Sequence, residues 1–502
     1  MIKLRMSETL WDEITKYHLA NKVERLSFLF GRMAKEGDDQ IIIIPPQKPY
    51  LLSDDCFKKQ NGVNVMLYKD VQQAIYAKFL ESEYDVLVNI HDHWFSKERT
   101  LFSATDDADD ISQDKFIRDS LEPLIDSKGS VTNLSLVLDQ ETVAARITNT
   151  ANKNVFEAVD QIQILSRKIK LITPNNAQES VAPQSNIFNR QQLVINNETQ
   201  NKLSKLKVGL VGAGGLGSIL AEGLIRLGIE HITIVDDDLI EQTNLNRLQG
   251  VKLNDVGKPK AKVIAEYLQS LVPSVCVDVV INKVNSEAAL EKLRTCDVLI
   301  GAVDNDLPRY ILNKISAAYL IPYADLATRI FNSEKQTVDF KQRLVISIPT
   351  VTSCLECTQV KLLNNEEINH AISDSYMENL YRDRGYLTNE NDDPTASIYG
   401  LNLAASGMLL LELSNLFSFY KPLATVITQE YQGGKISRLD AGNFPEEPHP
   451  HCSACGSYFV GKAHLIDIPG CHAKTRTTGE LLTKVKGFFA TKKPEAESIE
   501  KE

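Results

Sequence analysis

Apolar runs and the polar residues that end them set out the chain. Val208 to Val211 reads as a strand that enters a Gly-rich turn, and the helical pattern Ile219 to Leu227 follows it. A second strand, His231 to Val235, ends at Asp236, and Asp297 to Val303 reads as a buried strand ending at Asp304. In the first half, Tyr84 to Ile90 is an apolar strand ending in His91-Asp92-His93. The most apolar segment, Tyr399 to Phe417, carries Asn402, Ser406, Glu412, Ser414 and Asn415, so it reads as a buried helix rather than a membrane span. Ile172 to Asn186 is polar, holds two prolines and has no periodicity, which predicts a connecting segment with a boundary near residue 180. The chain thus divides into residues 1–175, a connector with an entry motif at 176–200, a second domain at 201–475 and a charged, disordered tail at 476–502.

The turn has chemistry of its own. Gly212, Gly214 and Gly217 fit G-x-G-x-x-G, with Gly215 between them, so backbone N–H groups and a helix dipole can face phosphate. Asp236, about 20 residues on, can accept ribose hydroxyls. These features suit NAD and ATP equally. The polar residues that follow favour ATP, because attack on the α-phosphorus with loss of pyrophosphate builds negative charge that cations must neutralise. Asn244, Asn246, Arg247 and Lys260 supply that chemistry, and Asp304, at the carboxyl edge of a buried strand, is the candidate Mg²⁺ ligand. Taken singly, Asp304 could cap the helix starting near Leu307 and Asp238 could be a turn residue.

On these residues the chain resembles the adenylating domain of ubiquitin-activating enzymes and their bacterial relatives ThiF, MoeB and HesA. The motifs Gly212-Ala-Gly-Gly-Leu-Gly-Ser, Asp236-x-Asp238, Asn244-Leu-Asn-Arg247, Gly257-Lys-Pro-Lys260 and Val303-Asp304-Asn305 fall in family order. The resemblance covers roughly residues 185 to 460. It implies a Rossmann-like α/β fold, a ribose held by Asp236, phosphates held by Arg247 and Lys260, and magnesium on Asp304. Phe188-Asn-Arg190-Gln191 looks like the family's entry motif, whose arginine crosses a dimer interface to reach the partner's ATP, which implies a homodimer or a pseudo-dimeric arrangement.

Cys354-Leu-Glu-Cys357 and Cys452-Ser-Ala-Cys455 are two C-x-x-C half-sites, a pattern suited to a closed, tetrahedral zinc. Eight cysteines, half of them in these pairs, fit a reducing compartment. The amino terminus shows no signal-like apolar run, so a cytoplasmic protein is expected. A net charge of −11 and a pI near 5.5 argue against nonspecific nucleic-acid binding.

The first half has a second constellation. His91 and His93, two apart on a strand, share one face as two metal ligands would. Ser103-Ala-Thr-Asp106 offers a carboxylate and a hydroxyl, and Glu24 is an acid beside the apolar stretch to Gly31. Two His, one Asp and an open position describe a hydrolytic zinc. Here residues 8 to 170 resemble the JAMM (JAB/MPN) metallopeptidases, with Trp94 where that family has proline and a His93–Ser103 gap one residue longer. The resemblance implies zinc on His91, His93 and Asp106, Glu24 as proton acceptor, and Ser103 as an oxyanion donor. Asp92, Asp107, Asp109 and Asp110 read as solvated loop charges.

Residues 358 to 451 contain no cysteine, although many ubiquitin-activating relatives carry their thioester-forming thiol between the zinc half-sites. Cys276 and Cys296 fall in apolar strand patterns and should be buried, which leaves Cys56 and Cys471; of these Cys471, beside His472, is the candidate substitute. The expectation is a cytoplasmic, dimeric, two-activity enzyme that adenylates the C-terminus of a ubiquitin-like protein, passes it to an acceptor such as a conjugating enzyme's thiol, and trims or removes the modifier with its first half. The resemblance places such fusions in bacterial ubiquitin-like conjugation systems, antiviral ones included. The alternatives are a sulfur carrier or peptide as substrate, dehydration of a modified tRNA base, a first half that only docks the carrier and, least favoured, an NAD-dependent oxidoreductase.

Overall fold

The computed structural model describes residues 1–455 apart from 21, 62–64, 94–99, 125–129, 178–185, 333–337, 359–395, 433–434, 441–445, 451 and 453. Trp94, Cys471, His472 and the charged tail lie outside the described residues.

The first half contributes β1 (Ile2–Ser7), α1 (Glu8–Leu19), β2 (Leu26–Glu36), β3 (Asp39–Ile43), β4 (Tyr50–Leu51), β5 (Phe57–Gln60), β6 (Val65–Leu67) and α2 (Lys69–Glu81). Then come β7 (Val86–Asp92), α3 (Ala104–Phe116), β8 (Thr132–Leu138), β9 (Val143–Thr148), β10 (Phe156–Ala158), β11 (Gln161–Leu165) and β12 (Lys170–Ile172). The sheet order is β10-β9-β8-β7-β2-β3-β1-β11-β12, with β4 on β2 and a separate β5–β6 hairpin. Strand β7 is central and nearly all buried, which is why it reads as a continuous apolar run rather than an alternating one. Its register sets His91 beside Leu26 of β2 and Val137 of β8.

The second half contributes α4 (Asn189–Ser204), β13 (Lys207–Val211), α5 (Gly215–Arg226), β14 (His231–Val235), α6 (Lys260–Leu271), β15 (Cys276–Val280) and α7 (Glu287–Leu293). It continues with β16 (Val298–Gly301), α8 (Asp306–Tyr319), β17 (Tyr323–Asn332), β18 (Val338–Ser347), α9 (Tyr399–Ser418), β19 (Val426–Gln432) and β20 (Lys435–Asp440). The order β15-β14-β13-β16-β17-β18-β19-β20 is parallel through β17 and antiparallel beyond it. Strand order reverses between β13 and β16, so the crevice at their carboxyl ends is where such a sheet binds ligands. Helix α9 alone among the described residues is long and apolar enough to cross a membrane, yet 61% of its most apolar window is buried inside the fold.

The two halves share a core. Ala34, Ile41, Ile43, Leu165 and Leu171 of the first sheet pack in one apolar cluster with Val208, Leu210, Val298 and Ile300 of the second. At its edge lies a charged contact that the linker composition did not suggest. Asp297, fully buried at the entrance of β16, accepts from Lys3 Nζ at 2.5 Å and from the Lys207 backbone N–H at 2.8 Å. Arg5 Nη2 lies 3.5 Å from the same carboxylate and donates to Cys296 O, while Nη1 donates to Tyr319 O and Nε to Gln163 Oε1. Burial draws the Arg5 pKa below its ordinary value against the pull of Asp297. Lys207 and Lys292 add contacts to Glu36, and Arg294 donates to Lys35 O.

Candidate functional site

The switch-point crevice is built by close backbone approach. Gly212 has φ +93°, and a Cβ there would run into the Ala302 carbonyl of the β16–α8 turn. A Cβ at Gly217 would overlap the Gly212 carbonyl oxygen, whereas one at Gly214 would meet nothing within 4 Å among the described residues. The turn therefore has two positions where only glycine fits and one that is open towards a ligand. Gly215 begins α5 and is covered by the Asn402 amide and the Arg247 methylenes, so the Arg247 side chain lies over the first turn of that helix. Arg247 Nη1 donates to Thr243 O at 2.8 Å.

Asp236 closes one wall. Its carboxylate accepts from Ala213 N at 2.7 Å and Asp238 N at 3.0 Å. Burial raises its pKa to about 6, against those two bonds and the pull of Lys260. Lys260 starts α6; its backbone N–H donates to Asp238 O, and its Nζ is 2.7 Å from Asp238 Oδ2. Asn244 is buried, with its side-chain oxygen used to close a local turn by accepting from Glu241 N. Asp304 is exposed at the β16–α8 turn, where Asn305 rather than Asp304 is the residue preceding the helix.

The four paired cysteines converge. Sγ–Sγ separations are 3.7 Å for Cys354–Cys357, 3.6 Å for Cys354–Cys452 and 3.5 Å for Cys357–Cys455. A tetrahedral zinc with Zn–S near 2.3 Å sets sulfurs about 3.8 Å apart, and a disulfide needs about 2.05 Å. The cluster can therefore hold a metal of zinc's geometry.

In the first half, ligand atoms of Glu24, His91 and His93 lie within 4.8 Å of one another. Asp106 faces both rings, 3.1 Å from His91 Nε2 and 3.6 Å from His93 Nε2. Ser103 caps α3, with its Oγ accepting from Asp106 N and its own N–H donating to Asp106 Oδ2. One capping box thus fixes both sequence-predicted residues on this loop. Glu24 Oε2 is buried and has no hydrogen-bond partner among the described residues, and burial pushes the Glu24 pKa up to about 7. Burial opposes charge on His91, but Asp106 and Glu24 outweigh it and raise the His91 pKa. An orphaned carboxylate oxygen facing two imidazole nitrogens fits a cation between them.

The aspartates around this site correct the sequence reading. Asp92 is fully buried and accepts from the Arg25 N–H and pairs with His18 Nδ1 at 2.8 Å; His18 Nε2 in turn meets Ser27 Oγ. Asp110 is buried between Ser135 and Arg146, and Asp107 also pairs with Arg146. Only Asp109 of the four is exposed as a whole residue. Asp92 and Asp110 sit inside because partners distant in sequence satisfy them, whereas the Asp107 side chain is 46% exposed. Cys296 is buried and its thiol is pushed up to about 12 by burial, but Cys276 is exposed, because β15 is the edge strand of its sheet.

The profile of the ThiF family matches residues 188–452, more than half of the 502-residue chain. The chain belongs to the ThiF family. Among curated proteins, a sulfur carrier protein adenylyltransferase of Thermus thermophilus is 38% identical over 128 residues, 25% of this chain and 47% of that protein. The SAMP-activating enzyme E1 of Haloferax volcanii is 35% identical over 141 residues, 28% of this chain and 52% of its own length. The sulfur carrier protein ThiS adenylyltransferase of Bacillus subtilis is 34% identical over 140 residues, 27% of this chain and 42% of its own. The chain thus spans about half the length of the curated relatives it matches. A crystal structure of Escherichia coli MccB aligns with 54% of this chain and 76% of that one at 22% identity, with a TM-score of 0.43.

In this ThiF-family chain the predicted site residues do not all meet. Arg190 is exposed on the first turn of α4, and its neighbour Gln191 donates to Leu227 O at 3.0 Å. Leu227 follows the last turn of α5, while the Gly-rich turn sits at the other end, roughly 18 Å away along the axis. Two polar residues at the crevice were missed. Arg309 is buried beneath the Asp304 turn, and Asn402 is buried against Gly215. Each is one of several polar residues in a largely apolar helix, a signal that marks buried polar contacts without naming their partners.

Proposed function

We propose that the crevice adenylates the C-terminal carboxylate of a ubiquitin-like or sulfur-carrier protein, or of a peptide. The supporting observation is the meeting of Arg247, Asp236, the Asp238–Lys260 pair and the Asp304 turn around one Gly-rich turn at the switch point. A substrate carboxylate oxygen bonds to the α-phosphorus as the bond to the bridging oxygen breaks and pyrophosphate leaves. Arg247 and Lys260 counter the charge gathering on the phosphates, and Asp236 accepts from the ribose. Asp304 would hold Mg²⁺, which supplies further positive charge at the phosphates. Arg190 serves the crevice of a second copy in a homodimer, since its own crevice lies at the far end of α5. With no cysteine between residues 358 and 451, the adenylate passes to an external acceptor. ATP–pyrophosphate exchange driven by carriers ending in Gly-Gly tests this reading. Exchange in the wild type that is lost in Asp304→Ala supports it; no exchange with any carrier or peptide overturns it.

For the first half we propose a hydrolytic zinc held by His91, His93 and Asp106, which would polarise a scissile carbonyl. Glu24, buried beside both histidines, takes a proton from the attacking water and returns it to the leaving amine, and Ser103 donates to the oxyanion. The four-cysteine cluster would hold a second, structural zinc. Metal content decides between a hydrolase and a docking domain. Two zinc ions per chain, one lost in His91→Ala and the other in Cys354→Ser, support hydrolysis; a single zinc lost only in Cys354→Ser leaves docking.

A further inference from the structure

Arg309 follows Asp304 by five residues and is directed back beneath it. Its guanidinium makes three bonds: Nη2 to Val303 O at 2.6 Å, Nη1 to Asp306 Oδ1 at 3.1 Å and Nε to Asp325 Oδ1 at 3.1 Å. Asp325, fully buried on β17, also accepts from Arg343 Nη2 and Tyr323 OH. These carboxylates hold the Arg309 pKa well above its usual value, against its burial. Charge balance is therefore complete without the third bond. A carbonyl on a surface turn does not need a buried arginine, since water can satisfy it. What the bond to Val303 O does is fix the peptide plane that leads into Asp304. On the other side of the same turn, the Ala302 carbonyl is packed against Gly212.

We propose that Arg309 is a positioning residue for Asp304: by fixing the Val303 carbonyl it sets where the Asp304 carboxylate meets a divalent cation carried in with the nucleoside triphosphate. Arg309 touches neither cation nor nucleotide. The inference rests on the assignment of Asp304 as the cation ligand. Lysine at 309 keeps a charge for Asp306 and Asp325 but lacks the fork that reaches three acceptors at once.

The test is Mn²⁺ affinity by electron paramagnetic resonance with a non-hydrolysable ATP analogue, on full-length Arg309→Lys. Removal of an outer partner of a metal ligand costs about 10–100-fold in metal affinity. We expect a loss of about that size in Arg309→Lys, with analogue affinity measured in EDTA changed less than about twofold and far-UV circular dichroism retained. The Mg²⁺ concentration for half-maximal pyrophosphate exchange should rise in parallel, and saturating Mg²⁺ should restore most of the rate. Arg343→Met, which removes another partner of Asp325 but not the bond to Val303, should leave Mn²⁺ affinity unchanged. If Arg309→Lys does not fold, Arg309→Met with Asp325→Asn removes the cation and one of its carboxylates together and should show the same loss. A folded variant that binds Mn²⁺ as tightly as wild type overturns the proposal, and so does failure of both variants to fold, which makes the arginine scaffold. Mn²⁺ affinity unaltered in Asp304→Ala strikes instead at the assignment of Asp304.

Discussion

Replacing Asp297 by asparagine should destabilise both halves of the protein at once. Asparagine matches the shape and can still accept from the Lys207 N–H, but it removes the only carboxylate facing Lys3 and Arg5 among the described residues, which are 5% and 0% exposed. Two cations would then be buried against a neutral group. Removing one partner of a buried ion pair costs about 3–5 kcal/mol, a large share of a total folding free energy of about 5–15 kcal/mol. Part of this should return in Asp297→Asn with Lys3→Met, since removing a cation along with its carboxylate lifts the penalty; a coupling of about 0.5–3 kcal/mol is expected for residues in contact. Both tryptophans of the chain, Trp11 and Trp94, lie in the first half. Their fluorescence during urea unfolding reports on that half, while nucleotide binding reports on the second. Because Asp297 belongs to the second half, a Trp transition that moves by the full amount shows one cooperative unit. A Trp-reported unfolding free energy unchanged to within about 0.5 kcal/mol, or two separate transitions with only one displaced, would refute the reasoning.

Three further outcomes are expected. Gly217→Ala should abolish ATP binding by equilibrium dialysis, because its Cβ has no room beside the Gly212 carbonyl, while Gly214→Ala, which meets nothing within 4 Å among the described residues, should cost no more than about tenfold. ATP affinity should fall as pH drops through about 6, where Asp236 gains a proton and stops accepting from the ribose; the raised pKa places the loss on the acid side of neutrality, and Asp236→Asn should flatten it in a titration from pH 8 to 5. Cys354→Ser should lower the thermal midpoint by differential scanning calorimetry and lower the zinc content by one ion per chain; an unchanged midpoint would show that the four thiols hold nothing of structural weight.

The crevice was legible in the sequence because its parts are local. Gly212 and Asp236 each follow the last residue of an apolar strand, which fixes the end of the sheet they occupy, and Gly217 comes five residues after Gly212 in the first turn of α5. His91 and His93 were legible for the same reason, two residues apart on a strand. What escaped was contact across distance. Nothing near Asp297 indicates Lys3, 294 residues away, and Asp92 looks like a loop charge until His18 and Arg25 are seen around it. Cys276 shows the converse: an apolar pattern predicts burial, but only the strand order reveals an edge with one face open to solvent. Arg309 was hidden by its own helix, since its partners Val303 and Asp325 become neighbours only when β16 and β17 pair.

The cysteine cluster has a consequence for the order in which the molecule is completed. Cys354 and Cys452 are 98 residues apart and end side by side, so a metal there would act as a clasp on a long excursion of chain. Closing a loop of about 100 residues removes chain entropy worth about 4.7 kcal/mol, which the metal–thiolate bonds must exceed. Inside that excursion lies α9, whose Leu410 packs on Gly223 of α5 and whose Asn402 covers Gly215 at the phosphate-facing end of the same helix. A metal there would therefore shorten the excursion that carries α9, whose Leu409, Leu413 and Leu416 also sit in the main apolar core, back onto the helix that opens the nucleotide turn.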